Sequence, residues 1–256
     1  MKVHLALCTI VVSIFCLGAA ASARAGLVGY WPLDGDGTAL VGTSGTLVGG
    51  PTTAADRNGT AGGALAFAST GPTSGSYVSV AGGGGLNNVS AGTLSMWVQW
   101  NGTQDSGWSN RNGAVLGRQN NRVWSDNVLS IQTGTDPNSS NMHWEARVTA
   151  GMNSGVIPGD GTWRHVAATM GPAGEVLYVD GVRTATRGPF AGFHDGASIP
   201  LAIGAWIGDG ASYSTSRIDD VAVYDHVLDP AQVFALARQS AAPQALPSQI
   251  TANAQT

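Results

Sequence analysis

Cysteine is confined to one short stretch at the amino end. The only two, Cys8 and Cys16, lie in or beside the apolar run Leu5 to Leu17, which follows Met1-Lys2 and leads to small residues ending Ala23-Arg24-Ala25. A charged start, an apolar segment too short to span a bilayer and an A-x-A site have the form of a secretory signal peptide cut before Gly26. No stop-transfer flank follows, and no small-small-Cys box surrounds Cys16. A chain starting at Gly26 makes no disulfide and offers no thiolate to a metal or substrate. An apolar core, a hard cation or both must hold it, and roughly 210 residues suffice for one β-sandwich core.

Lysine is absent after Lys2, and from Gly26 onward the cations are ten scattered arginines against sixteen acids, a balance of −6 for that part of the chain. With no basic block, nucleic acid and anionic membranes are excluded as partners, since both need clustered positive charge. Glutamate is almost missing too: Glu145 and Glu175 are the only two. No fixed-period repeat and no second domain are visible, and the mature chain contains no membrane-spanning run.

What is present is a succession of short alternating strands between glycine-rich turns. In Trp163 to Met170, Val166, Ala168 and Met170 share one face while His165, Ala167 and Thr169 share the other, the period of a half-buried strand. A turn at Gly171 to Gly174 leads to Glu175 to Val179. There Asp180-Gly181, a pair suited to positive φ, makes a two-residue hairpin turn before Val182 to Arg187. Thr93 to Trp100 alternates as clearly, with Leu94, Met96, Val98 and Trp100 opposite Ser95, Trp97 and Gln99. Further strands are expected at Leu27 to Asp34, Gly45 to Val48, Ala64 to Ala68, Tyr77 to Val80, Ala114 to Leu116, Val128 to Gln132, Met142 to Val148, Ser198 to Ile207 and Arg217 to Tyr224. Pro32 cannot donate to a ladder, which places the first strand at an edge or a bulge. One helix is expected, with Asp229 as N-cap, Pro230 in the first turn and Val233, Phe234, Leu236 and Ala237 as its apolar face. From Ser240 to Thr256 the chain is aperiodic and reads as a disordered tail.

Four of these stretches carry a family pattern. Trp163-x-His165-Val166-Ala167 with Leu177-Tyr178-Val179-Asp180-Gly181 resembles the centre of the laminin-G-like jelly-roll domains of the concanavalin A-like lectin and glucanase superfamily. Tyr30-Trp31-Pro32-Leu33-Asp34-Gly35 is similar to their opening strand, Thr93 to Val98 to their tryptophan-bearing strand, and Ile218 to Tyr224 to their last. The resemblance covers Gly26 to Arg238. It implies an all-β, two-sheet antiparallel jelly-roll sandwich with one short C-terminal helix, in the span 26–239 between a signal peptide at 1–25 and a tail at 240–256.

The glucanase branch of that superfamily places Glu-x-Asp-x-x-Glu on one strand, and no such motif occurs here. His143, His165 and His194 are remote from one another in sequence, and Ser95, Ser130 and Ser216 lie in no Gly-x-Ser-x-Gly elbow. Calcium is the better metal candidate, because the acids are nearly all aspartates on glycine-rich turns. In related jelly rolls an aspartate of the last strand holds a structural calcium against the start of the chain; Asp219 matches that place, and Asp34 is a second candidate in Asp34-Gly35-Asp36-Gly37.

Trp31, Trp97 and Trp163 are expected in the core. Trp108, Trp124 and Trp206, with Tyr213, lie in polar loops where a flat ring can meet a sugar's apolar face, or can equally plug its own loop. The expected function is non-catalytic recognition of carbohydrate or an extracellular protein by a secreted, extracellular or periplasmic monomer. A hydrolase using an Asp pair and a structural cell-envelope module remain the alternatives. Mass spectrometry of exported protein should find Gly26 at the amino terminus; retention of residues 1–25 would contradict the signal-peptide reading.

Overall fold

The computed structural model describes residues 26–246 except 72–73, 88, 101–113, 119–128, 136–141, 148–150, 157–159, 190–199, 208–211 and 240–241; along 129–135, 142–147 and 151–156 it describes backbone pairing alone. Trp108, Trp124 and His194 therefore lie outside the described residues, as do residues 1–25 and most of the tail.

Two large antiparallel sheets carry the chain. The eight-stranded sheet runs Val182–Arg187, Gly174–Val179, Trp163–Gly171, Gly92–Trp100, Ser216–Tyr224, Ala64–Ala66, Thr52–Ala54, with Leu27–Trp31 also paired to Ser216–Tyr224. The seven-stranded sheet runs Gly151–Val156, Met142–Arg147, Leu129–Thr135, Ala114–Arg118, Leu201–Ile203, Tyr77–Val80, Thr46–Val48. The two-sheet antiparallel sandwich that the resemblance implied is thus formed. The first strand is an edge strand that ends at Trp31, immediately before Pro32, as the missing N–H requires.

Alternation decides what each strand buries. Leu94, Met96 and Val98, Val166, Ala168 and Met170, and Ile218, Val221 and Val223 turn inward onto Val78, Val80, Leu116 and Ile203 of the facing sheet. Each of the larger side chains contributes about 1.5–3 kcal/mol on burial, in a sequence that has no cysteine from residue 17 onward. Trp31 joins this core at full burial, as expected.

The other face of the larger sheet is half covered by a second apolar cluster. Ala167, Tyr178, Ala222 and Tyr224 of the sheet meet Val233 and Leu236 of the helix Pro230–Ala237, together with Leu246. The helix begins where Asp229 predicts: its side chain accepts from Gln232 N at 2.8 Å while Gln232 Oε1 accepts from Asp229 N at 2.9 Å. Residues 242–246, read from composition as tail, are packed. Pro243–Ala245 forms a 3-10 turn, Tyr224 Oη donates to Pro243 O at 3.1 Å, and Leu246 is buried. A single leucine nine residues beyond Ala237, among alanines and prolines with no periodicity, was too little signal to mark a contact.

In the two large sheets, two of the described strands were not legible, and neither were the short pieces Ser69–Gly71, Ser74–Gly75 and Ser212–Tyr213 outside them. Gly151–Val156 contains two glycines, and Thr52–Ala54 has no alternation, so pairing along a sheet edge overrides weak intrinsic preference in both. The expected strand Ser198 to Ile207 breaks at Gly204, whose φ is 89° and where a Cβ would come within 2.5 Å of the Phe67 ring. At the central hairpin Asp180 and Gly181 have φ of 50° and 78°, as the Asp-Gly turn requires.

Glu175 shares the inward side of its strand with Leu177 and is 1% exposed; among the described residues its Oε2 has no hydrogen-bond partner. Burial raises its pKa above the ordinary 4.5, with the charge of Arg187 opposing. A raised acid contributes fully below its unfolded pKa, and that stability is lost as pH rises through the folded value. Glu175→Gln should therefore melt higher than the wild type at pH 8, by about 2–4 °C for each kcal/mol recovered, and the gain should vanish near pH 4. Equal melting curves at pH 8 would contradict this.

Candidate functional site

The uncovered half of the larger sheet's outer face is organised in rows by strand register. Ala167, Ser95 and Ala222 form one row, His165, Trp97 and Asp219 the next, and Trp163, Gln99 and Arg217 the third. The first row lies at the apolar cluster under the helix and is buried. In the second, His165 and Asp219 are buried and Trp97 half-buried; in the third, Trp163 and Gln99 are half-buried and Arg217 exposed. The face thus opens progressively away from the helix. Trp97 and Trp163, expected in the core, belong to this outer face instead, because the even-numbered residues of Gly92–Trp100 and of Trp163–Gly171 take the core side.

The middle row is held by Arg57, which comes from the turn after Thr52–Ala54. Its Nη1 donates to Asp219 Oδ2, its Nη2 lies 2.7 Å from Asp220 Oδ2, and its guanidinium carbon sits 5.0 Å from the Trp97 ring centroid. Tyr30 Oη, on the first strand, donates to Asp220 Oδ1. Asp220 has φ of 51° at a bulge where the register shifts between Asp219 and Ala222. That extra residue turns both neighbouring acids toward one cation, although plain alternation would send them to opposite faces.

Electrostatics follow from burial. Asp219 is pushed up to about 7 by desolvation and then by Asp220, with Arg57 opposing. Tyr30 is raised by desolvation and by its bond to Asp220. Burial lowers His165 to about 3, so it is neutral at any working pH; its Nε2 lies 2.8 Å from Ser95 Oγ and its ring meets Trp97 edge-on at 5.3 Å. A base so weak, with no described partner at Nδ1 to orient it, is not arranged to activate the serine. A cleft of about 220 Å³ between these residues is bounded on its far side by Gln239, Ala242 and Pro243.

The sequence singled out Asp219 and Asp34 for calcium. Asp219 Oδ2 and both oxygens of Asp220 are engaged by Arg57 and Tyr30, and Asp34 is an exposed carboxylate whose pKa is raised by partial desolvation and by Asp220, Asp56 and Asp36. Among the described residues no three His, Cys, Asp or Glu side chains are grouped to hold a metal. With a guanidinium in their midst, these residues do not fit a calcium cage.

The loop aromatics are placed differently from one another. Trp206 is 8% exposed and packs so closely on the Ala114–Arg118 strand that a Cβ on Gly117 would lie 2.8 Å from its Cα. Tyr213 is half-buried against Tyr77, ring centroids 6.1 Å apart. Burial leaves Trp206 little ring face for a ligand; Tyr213 keeps part of its own.

Beyond the third row lies a more open groove of about 370 Å³, bounded by Phe67, Gln99, Gly161, Thr215 and Arg217. Gln99 Nε2 donates to Gly161 O at 2.7 Å and its Oε1 accepts from Arg217 Nη1 at 3.0 Å, which fixes both polar groups. The described lining contains no carboxylate. Tyr30, Arg57, Gln99, Trp163 and Arg217 were not singled out from sequence as site residues. The alternation of each strand was readable, but the register that aligns three strands into rows was not.

A laminin G family model, described as the concanavalin A-like lectin/glucanases superfamily, matches residues 72–234. No curated protein matches the sequence significantly. Among solved structures, domain 4 of AbnA, an extracellular GH43 arabinanase from Geobacillus stearothermophilus in complex with arabinotriose, aligns with TM-score 0.59 and 20% identity over 84% of this chain and 99% of that one. Trypanosoma rangeli sialidase, solved with 2,3-difluorosialic acid, aligns with TM-score 0.56 and 19% identity over 91% of this chain but 36% of its own. The binding domain of botulinum neurotoxin DC, in complex with SialylT, aligns with TM-score 0.57 and 11% identity over 91% and 53%. At these identities the likeness is one of fold.

Removing one partner from a buried ion pair typically costs about 3–5 kcal/mol, and Arg57→Met leaves two carboxylates facing one another. Urea unfolding at pH 8 should show a loss of that order. At pH 5, below the raised value of Asp219, the loss should be smaller, because the protonated acid no longer repels Asp220. A loss under about 1 kcal/mol at pH 8, the scale of an exposed pair, would contradict the network's role.

Proposed function

The chain belongs to the concanavalin A-like lectin/glucanases superfamily, and from that premise we propose that it is an exported, non-catalytic module that binds carbohydrate on the open half of its larger sheet. The observation that carries this reading is the third row: Trp163, Gln99 and Arg217, aligned across three strands beside Trp97 and continuous with the 370 Å³ groove. A half-buried indole offers part of a flat apolar face to a pyranose or furanose ring, while a fixed amide and guanidinium offer hydrogen bonds to its hydroxyls. The fold neighbours support the same class of ligand, since the arabinanase domain was solved with arabinotriose.

The acids favour binding over hydrolysis. A glycosidase needs two carboxyl groups flanking a bond in an accessible cleft. Here the described lining of the open groove has none, and the pair that does exist, Asp219 and Asp220, is tied to Arg57 and Tyr30. One observation favours the hydrolase as a second reading: Asp219, raised to about 7 by desolvation and by its neighbour Asp220, has the protonation expected of a general acid. Release of reducing ends from a polysaccharide decides for that reading.

Binding of the mature chain to a broad panel of neutral and acidic glycans tests the proposal. Trp163→Ala should weaken the best ligand about tenfold or more while leaving the melting temperature within about 5 °C. A panel without ligands, or a Trp163→Ala variant that binds like the wild type, would overturn it.

A further inference from the structure

We infer that the groove beside the third row selects a carboxylated sugar, and that Arg217 is the residue that reads the carboxylate; this rests on the carbohydrate reading above. The inference comes from how the arginines are spent. Arg57 is neutralised by Asp219 and Asp220, and Arg164 pairs with Asp160 at 3.3 Å and Asp180 at 3.1 Å. Arg187 stands across from Glu175 in the hairpin. Arg183 and Arg238 also meet no acid among the described residues, but neither borders the groove. Arg217 is the arginine of the described lining: it is exposed, its one hydrogen bond goes to the neutral Gln99 Oε1, and it meets no carboxylate among the described residues.

The neighbouring groups sharpen the ligand's chemistry. Gln99 is spent on Gly161 O and on Arg217, and Ser216 Oγ is 2.5 Å from Ser214 Oγ. The guanidinium is therefore the strongest donor still facing the groove, held in place through Nη1 with its other N–H groups left over. A planar carboxylate suits those remaining donors, and Arg217 in its groove presents a single fork rather than a basic patch. A densely sulfated polyanion needs clustered cations and is repelled by a chain whose acids outnumber its cations, sixteen to twelve. The occupant that fits is a glycan bearing an isolated carboxylate, a uronate or a sialate, laid along Trp163.

Calorimetric titration with matched pairs tests this: 3′-sialyllactose against lactose, and trigalacturonate against its methyl ester. The expected result is that at least one acid binds about tenfold or more tighter than its neutral counterpart. That margin should disappear in Arg217→Gln with an unchanged melting temperature, and persist in Arg183→Gln, an exposed hairpin arginine outside the groove. The two acids separate a sialate from a uronate source. If neutral members bind as well as acids, or if neither acid binds while neutral glycans of the wider panel do, the carboxylate inference falls and the carbohydrate reading stands. If no glycan binds at all, both fall. An acid preference that survives Arg217→Gln would overturn the assignment to this residue.

Discussion

The sandwich depends on one guanidinium. Arg57 reaches from a turn on one edge of the larger sheet to Asp219 and Asp220 in the last strand, and Asp220 in turn accepts from Tyr30 of the first strand. This is also where the last strand changes neighbours: Arg217 and Ile218 pair with Ala64–Ala66, whereas Val221 to Tyr224 pair with Leu27–Trp31. A strand that hands over from one short partner to another leaves a gap in its ladder, and the bulge at Asp220 fills the gap with two acids. Buried acids cost desolvation energy, visible in the raised pKa of Asp219, and a bidentate cation offsets that cost better than a point charge. No cysteine follows Cys16, and this network is a polar tie between the first and last strands of the larger sheet.

The same network divides the outer face into two parts. On one side the helix and residues 242–246 bury Ala167, Ala222 and Tyr224. On the other, Arg57 lies on Trp97 and the cover stops, so Trp163, Gln99 and Arg217 are left accessible on a rigid three-strand platform. Binding residues set on paired strands hold their spacing more closely than residues on loops. A recognition surface with its own polar groups fixed in advance, as Gln99 is by Gly161, loses less freedom on binding a sugar.

Most of the fold was readable because alternation within a strand is a local property. Leu94, Met96 and Val98 against Ser95, Trp97 and Gln99 gave the two faces of the central strand, and Asp180-Gly181 gave the hairpin turn. The site was less readable because it is made by pairing between strands far apart in sequence. Gln99 and Arg217 are 118 residues apart and Arg57 and Asp219 are 162 apart, and no local pattern aligns either pair. The two tryptophans were misplaced for a related reason. Trp97 and Trp163 sit in strand motifs, which suggested the core, yet their alternation already put them opposite the inward residues. Calcium was suggested by the abundance of aspartates on glycine-rich turns and, for Asp219, by the resemblance to a last-strand aspartate of related jelly rolls, and nothing in the sequence shows that an arginine from another turn stands beside it.

The account's central claim is that glycan meets the paired strands of the open face and not the loop rings. Titrating the ¹⁵N-labelled protein with the tightest ligand of the glycan panel, while following the tryptophan indole N–H resonances, tests this directly. Trp97 and Trp163 are predicted to move with the binding curve while Trp31 and Trp100 in the core stay fixed. Movement confined to Trp108, Trp124 or Trp206, with Trp97 and Trp163 unchanged at saturation, would contradict the claim.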